Sequence, residues 1–252
     1  MKNTATEQDA VTAVFKENLD RIETQILAAC REAGRPRGEV ALMAVSKMHP
    51  AAAIVAAQGL GVRLFGENRV QEFQEKIALL SLPHGEAGQA GAEFHLIGHL
   101  QSNKAARAAE LFASVDTLDS VSLAERLDQA ARRLGRRLRV LIEIKLSPEG
   151  SKAGMDPESE ELAGLLERLP DLAGLEMRGL MMVPPFLEDL AAVRPYFRGL
   201  RVLRDRLAVA HPRLSFGELS MGMSHDFPVA IDEGATQVRI GTALFGARDY
   251  SR

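Results

Sequence analysis

The sequence predicts an α/β protein built as a single (β/α)8 TIM barrel with an extra N-terminal helix. Three observations carry this reading. Strand-like and helix-like segments alternate eight times, at a spacing of roughly 20 to 35 residues, the rhythm of a parallel barrel. The chain has 252 residues and no linker-like break, a length at which α/β barrels run as one domain, so residues 1–252 are expected to form one unit. Polar side chains gather where the strand-like runs end, which is where barrels build their sites. Periodicity alone leaves a doubly wound open sheet as the structural rival.

The elements follow in order. Val11, Val14, Phe15, Leu19, Ile22, Ile26 and Leu27 recur with helical spacing, predicting a helix over about 7–33 that "AGRPRG" stops. "EVALMAVSK" reads as the first strand, and "HPAAAIVAAQ" as a helix with Pro50 near its first turn. "VRLFGEN" and "RVQEFQEKIALL" form the second pair, followed by a Gly/Ala-rich loop over 81–93. "EFHLIGHL" is the third strand, with "SNKAARAAELF" as its helix and Ser102 as the expected N-cap. "ASVDTLDS" is a fourth, less apolar strand, followed by the helical "SLAERLDQAARRL". "RLRVLIEIKL" is the fifth; "DPESEELAGLLERL" follows, with Asp156 expected to cap and Pro157 to open the helix. "LEMRGLMMV" precedes a helix inside 187–210 that contains Pro195. "RLSFGELSMG" is the seventh strand, "SHDFPVAIDEG" a short helical region, and "TQVRIGTALFG" the eighth strand.

Composition narrows the function classes. A net charge of −3 advertises no nucleic-acid partner, and the arginines of "ARRLGRRLR" read as a solvated helix face. Cys30 is the only cysteine, so neither a disulfide within the chain nor a Cys-based metal site is expected. No metal site is expected at all. The N-terminus lacks the apolar region of a secretory signal, and no apolar run approaches the ~18 residues of a membrane span. A cytoplasmic protein without membrane contact is expected.

The strand ends point to a chemistry. Lys47 closes the first strand, where burying an amine is costly unless it has a task. Glu67, Asn68 and Arg69 follow the second strand, His99, Gln101 and Asn103 the third, and Asp116 lies in the fourth. Lys145 and then Lys152 follow the fifth. "SMGMSHD" and "RIGTALFG" end strands seven and eight, where barrels often bind phosphate. There Gly222 and Gly241 admit close backbone approach, and Ser220, Ser224 and Thr242 offer hydroxyls. Gly, Ser and Thr also serve as plain turn residues; it is the pairing of two such loops that suggests phosphate. A desolvated lysine is nucleophilic. Set across the mouth from a phosphate site, it suits an aldehyde phosphate, either pyridoxal phosphate or the substrate of a sugar-phosphate aldolase. Arg239 lies near enough to the phosphate loop to donate to a pyridine nitrogen.

The motifs "AVSK", "FGENRVQE", "FHLIGHLQSNK", "VDTLDS", "SKAGM", "GLMMVPP" and "LSMGMSHDFPVAIDEGATQVRIGTALFGAR" resemble those of the pyridoxal phosphate homeostasis protein family. The resemblance runs from about residue 7 to residue 248. It implies a barrel like the N-terminal domain of alanine racemase, a fold-type III pyridoxal phosphate binder. It implies that Lys47 carries pyridoxal 5'-phosphate (PLP) as a Schiff base. It further implies that Ser224, Gly241 and Thr242 cradle the phosphate, that Arg239 faces the pyridine nitrogen, and that Asn68 lies near the cofactor. Met221 and His99 fall in motifs implied to line the pocket. Lys145 and Leu146 depart from the polar residues that relatives usually carry there.

The implied function is PLP binding and vitamin B6 homeostasis, without established catalytic turnover and so without an assigned catalytic residue. Racemisation needs a base on each face of the substrate. Lys47 can be one; in alanine racemase-like enzymes the other is a tyrosine from a separate domain of a partner subunit, for which a chain ending at Arg252 has no room. Tyr196 and Tyr250 sit at no predicted strand end. Arginine cannot take a proton from the ring nitrogen, its own pKa being above ~12, so Arg239 disfavours carbanion chemistry. A weak PLP-dependent amino-acid racemase is the alternative, and the barrel aldolase the third reading. PLP-dependent apo-enzymes are candidate partners, and a monomer is expected.

Overall fold

The computed structural model describes residues 3–80, 91–147 and 153–246, with side chains from residue 12 onward. The loop expected over 81–93 lies largely outside them, as do Lys152 and Tyr250. Eight parallel strands close in chain order: β1 (Ala41–Val45), β2 (Leu64–Glu67), β3 (Glu93–Leu96), β4 (Ser114–Leu118), β5 (Leu138–Glu143), β6 (Leu175–Met181), β7 (Glu218–Met223) and β8 (Gln237–Ile240). β8 pairs back onto β1, with Met43 opposite Arg239, so the open-sheet rival is excluded.

Nine helices are found among the described residues: α1 (Asn3–Glu32), α2 (Ala51–Gly59), α3 (Val70–Leu79), α4 (Ala105–Leu111), α5 (Val121–Arg133), α6 (Glu160–Arg168), α7 (Leu190–Ala210), α8 (Phe227–Asp232) and α9 (Thr242–Phe245). α1 buries Phe15, Ile22, Ile26, Ala29 and Cys30, whereas Val14 and Leu27 of the expected stripe stay exposed. α1 also holds α9 from outside: Asn18 Nδ2 donates to the Leu244 carbonyl at 3.0 Å and Arg21 Nη2 to that of Ala243 at 3.2 Å. The extra helix therefore buttresses the loop after β8.

Local details correct the expected element ends. Ser102 does not cap α4; it opens a 3-10 turn, Ser102–Lys104, that leads into the helix. Asp156 does not cap α6 either. Its carboxylate accepts from Glu158 N at 2.8 Å in a local turn, and Ser159 is the N-cap, accepting from Leu162 N. The eighth strand ends at Ile240, and "TALF" coils into α9 instead of extending it. Pro195 sits in the sixth position of α7, past the first turn where proline costs nothing.

The two faces of the barrel wall differ in kind. Outward residues such as Phe65, Phe94, Leu96, Val115, Ile142, Leu180 and Leu219 are fully buried under the helices. The inside is largely polar, unlike the branched aliphatic filling common in such barrels. Asp116 Oδ1 accepts from Ser114 Oγ at 2.6 Å, and its Oδ2 lies 3.1 Å from His95 Nδ1. Gln237 Nε2 spans the lumen, reaching Asp116 at 3.2 Å and Ser220 Oγ at 2.8 Å. Burial alone would push His95 down, but the Asp116 charge and hydrogen bond prevail and raise it to about 9.

Candidate functional site

The closed order of strands makes β7, β8 and β1 neighbours, so the loop carrying Lys47 lies beside the two glycine-bearing loops and not across the mouth from them. At their C-terminal ends opens a cavity of about 430 Å³, within the range of small-molecule sites. Lys47, Asn68, Ser224, Arg239, Gly241 and Thr242 all line it. Six of the eight expected residues therefore converge.

Lys47 is held out by a tight turn. β1 ends at Val45; His49 N donates to the Ser46 carbonyl at 3.0 Å, and Met48 takes φ 62°. A positive φ in a residue other than glycine is strained. On the other wall, Gly222 has φ 93°, and a Cβ there would lie 2.6 Å from Ala230 Cβ, so only glycine lets β7 turn over α8 into the Ser224 loop. Asp226 ties that loop down by accepting from Met223 N at 2.6 Å. Gly241 follows β8, lies against Val45 and is the N-cap of α9, so the Gly241–Thr242 backbone presents first-turn amides, which have no partner within a helix.

Arg239 reaches the cavity from inside the barrel. Its Nη1 donates to Ser220 Oγ and its Nη2 to the Met182 carbonyl, each at 2.7 Å. Burial lowers the guanidinium from its usual value, and the charges of Asp116, Glu143 and Asp226 counter that. Asn68 Oδ1 is a buried acceptor with no partner among the described residues. Such a group is costly unless a ligand satisfies it.

Met221 and His99 are corrections. Met221 is fully buried in the outer core; strand residues alternate faces, so Ser220 points into the lumen and Met221 away from it. His99 is exposed, with Nδ1 3.1 Å from Asp119, and does not line the cavity. Other lining residues were not expected: Val45, Ile97, Val183, Phe186, Met223, His225 and Asp226. Phe186 and His225 pack with ring centroids 5.4 Å apart at the rim, and Phe186 is 74% exposed, so the mouth is open. "SHDF" held the signal for Asp226, a carboxylate two residues beyond a strand-end serine; nothing marked Phe186. Leu146, one of the departures from the family pattern, packs on the core, its Cδ1 near Gly199 of α7.

Glu143, at the end of β5, has one oxygen without a partner among the described residues. Burial pushes its carboxyl up to about 7, Asp119 adds to this, and Arg239 and His99 oppose it. With a bound proton favoured in the fold, the cost of ionising Glu143 begins near pH 4.5 and is complete above about 7. Glu143→Gln is therefore expected to raise Tm by a few degrees at about pH 8 and to leave it unchanged near pH 4.5, as read by thermal denaturation.

A larger groove, about 1070 Å³, lies on the outer face of α5 and α6 among Arg126, Arg132, Arg133 and Arg168. It shares no lining residue with the strand-end cavity, and Glu125 and Asp128 pair with two of its arginines. No helix among the described residues is long and apolar enough to cross a membrane, and no cluster of metal-ligating side chains is found among them.

A closed parallel barrel with a lysine and two glycine-bearing loops at one mouth places the chain in a class: it belongs to the family described as alanine racemase, N-terminal domain, which matches residues 18–249. Within that class it belongs to the pyridoxal phosphate homeostasis proteins. It is 43% identical over 239 residues to the one from Vibrio cholerae, covering 94% of this chain and 98% of that one. It is also 43% identical over 237 residues to the one from Escherichia coli K12, covering 93% and 97%. PipY of Synechococcus elongatus, solved with PLP bound, superposes with a TM-score of 0.80 at 42% identity, covering 92% of this chain and all of PipY. Alanine racemase of Clostridium difficile, at 14% identity and TM-score 0.69 over 94% of this chain and 57% of that one, shares the fold alone.

Proposed function

We propose that this protein binds PLP at the β7–β8–β1 mouth, holds it through Lys47, and serves intracellular vitamin B6 homeostasis as a carrier and not a catalyst. The observation that carries the reading is the convergence of Lys47, Asn68, Arg239 and the Ser224 and Gly241–Thr242 loops on one cavity. When bound, PLP would supply an aldehyde, and Lys47 Nζ is the amine that would hold it. Ser224 and Thr242 hydroxyls and the amides after Gly241 receive the phosphate. Arg239, fixed by Ser220 and Met182, is the group that would face the pyridine nitrogen, and it could not take that nitrogen's proton. Asn68 Oδ1, a buried acceptor left open among the described residues, would take a hydrogen bond from the ligand. The open rim suits loading and release, and PLP-dependent apo-enzymes are the proposed recipients. We place the protein in the cytoplasm as a monomer with no nucleic-acid or membrane partner.

Glu143 favours a second reading, a weak amino-acid racemase. It is a buried carboxyl poised near neutrality beside Arg239, yet it stands outside the cavity lining. Incubating the PLP-loaded protein with D- and L-alanine and serine in deuterated water separates the two. The carrier reading predicts no sustained exchange of the α-proton; turnover that Glu143→Gln abolishes would establish the racemase.

A further inference from the structure

We propose that the buried ion cluster Lys76–Glu67–Glu72 is a positioning device for Lys47, gripping the chain on both sides of it. The inference rests on the reading that Lys47 bonds the cofactor, and deepens it. Lys76 of α3 sends Nζ beneath the Lys47 turn, 2.8 Å from the Ser46 carbonyl and 2.8 and 3.1 Å from the two carboxylate oxygens of Glu67. It also lies 2.7 Å from Glu72 Oε1. Ser46 Oγ donates to Glu67 Oε1 at 2.7 Å, and Met48 N donates to Glu72 Oε1. Residues 46 and 48 are thus tied to one cluster, and Lys47 stands between them.

Two features argue that the cluster does more than hold the fold. Glu67 is completely buried and Lys76 nearly so, and a buried ion pair is often no more stable than apolar side chains of the same size. The barrel needs no charge there, since neighbouring Phe65, Phe73 and Ile77 are wholly apolar. In addition, Met48 keeps a left-handed backbone although about half of its surface is exposed. Besides the turn bond from His49 N to the Ser46 carbonyl, the hydrogen bond from the Met48 N–H to Glu72 supports this conformation. A relaxed turn would swing the Lys47 side chain away from the cavity. The step served is addition of the neutral amine to the aldehyde carbon: a C=N bond replaces C=O, and the oxygen leaves as water with both amine protons. Its rate depends on where Nζ stands.

The test uses Glu72, which is partly exposed and outside the cavity lining. Apo-protein is mixed with PLP, and the rate of appearance of the visible absorbance is recorded. Affinity for the alcohol analogue pyridoxine phosphate, which cannot form the bond, is measured alongside. Glu72→Ala is expected to slow the covalent step at least about tenfold, with analogue affinity unchanged. Glu72→Gln keeps an acceptor for Met48 N–H and should restore most of the rate. The double variant Glu67→Gln/Lys76→Met, which removes both buried charges and leaves the part-exposed Glu72 without the lysine that orients it, should fold and show a slow covalent step as well. An unchanged rate in Glu72→Ala, or equal loss of rate and analogue affinity, overturns the positioning role. Absence of any adduct at Lys47 in the unmodified protein overturns it together with the reading beneath it.

Discussion

Lys47→Ala is expected to abolish the visible absorbance of lysine-bound PLP while leaving weaker, reversible binding of the cofactor. The separation follows from the layout of the site. The lysine loop and the two glycine-bearing loops rise from different, neighbouring strands, β1 for the first and β7 and β8 for the others. Removing the amine leaves Arg239 pinned by Ser220 and Met182, and leaves Gly222, Ser224, Gly241 and Thr242 in place. Phosphate held by backbone amides and hydroxyls is worth several kcal/mol on its own, about 1.5–3 for each bond to a charged group. Dialysis should therefore strip the variant of cofactor and not the unmodified protein. Loss of all affinity, including affinity for pyridoxine phosphate, would show that Lys47 holds the fold of the mouth and not the aldehyde.

Asp116→Ala is expected to cause the largest loss of stability. Asp116 is fully buried at the centre of the lumen and bonded to Ser114, His95 and Gln237. Its removal breaks a buried ion pair, forces His95 to give up its proton and leaves Ser114 and Gln237 without their shared acceptor, a lesion that costs about 3–5 kcal/mol, or roughly 10 °C in Tm for a chain of this size. The pH dependence gives a second signature. The folded-state pKa of His95 is raised from 6.5 to about 9, so its contribution is complete below pH 6.5 and is lost as pH climbs to about 9. In the variant that decline should vanish, because burial without Asp116 keeps His95 neutral. Asp116→Asn, which still accepts a hydrogen bond, should fall between the two. A Tm profile in Asp116→Ala that keeps its slope between pH 6.5 and 9 would exclude a charged His95.

The alternation of elements was legible because each β–α unit carries its own periodicity. Residues at the strand ends were legible because lysine, glycine and serine there break apolar runs. The lumen was not. Strands covered on both faces read as continuous apolar runs, and nothing in the pattern tells inside from outside. "EFHL" and "SVDTL" therefore registered as strands of uneven polarity, although His95 and Asp116 form the centre of a network. Met221 was placed at the pocket by the motif that the resemblance supplied, and a motif does not say which of its residues face inward: a shift of one residue reverses the face. Ser102 and Asp156 were plausible caps by type, but a 3-10 turn and a local Asp turn took the positions first. Glu67, Glu72 and Lys76 spread over a strand end and a helix, so their meeting beneath Lys47 needed the folded chain.

The central claim is that the lysine after β1 carries the cofactor. Reducing the PLP-loaded protein with borohydride and mapping the modified peptide by mass tests it most directly. The account predicts a single pyridoxyl group, on Lys47. A label on Lys76, Lys145 or any other lysine, or a reduced protein that retains no label, would contradict it.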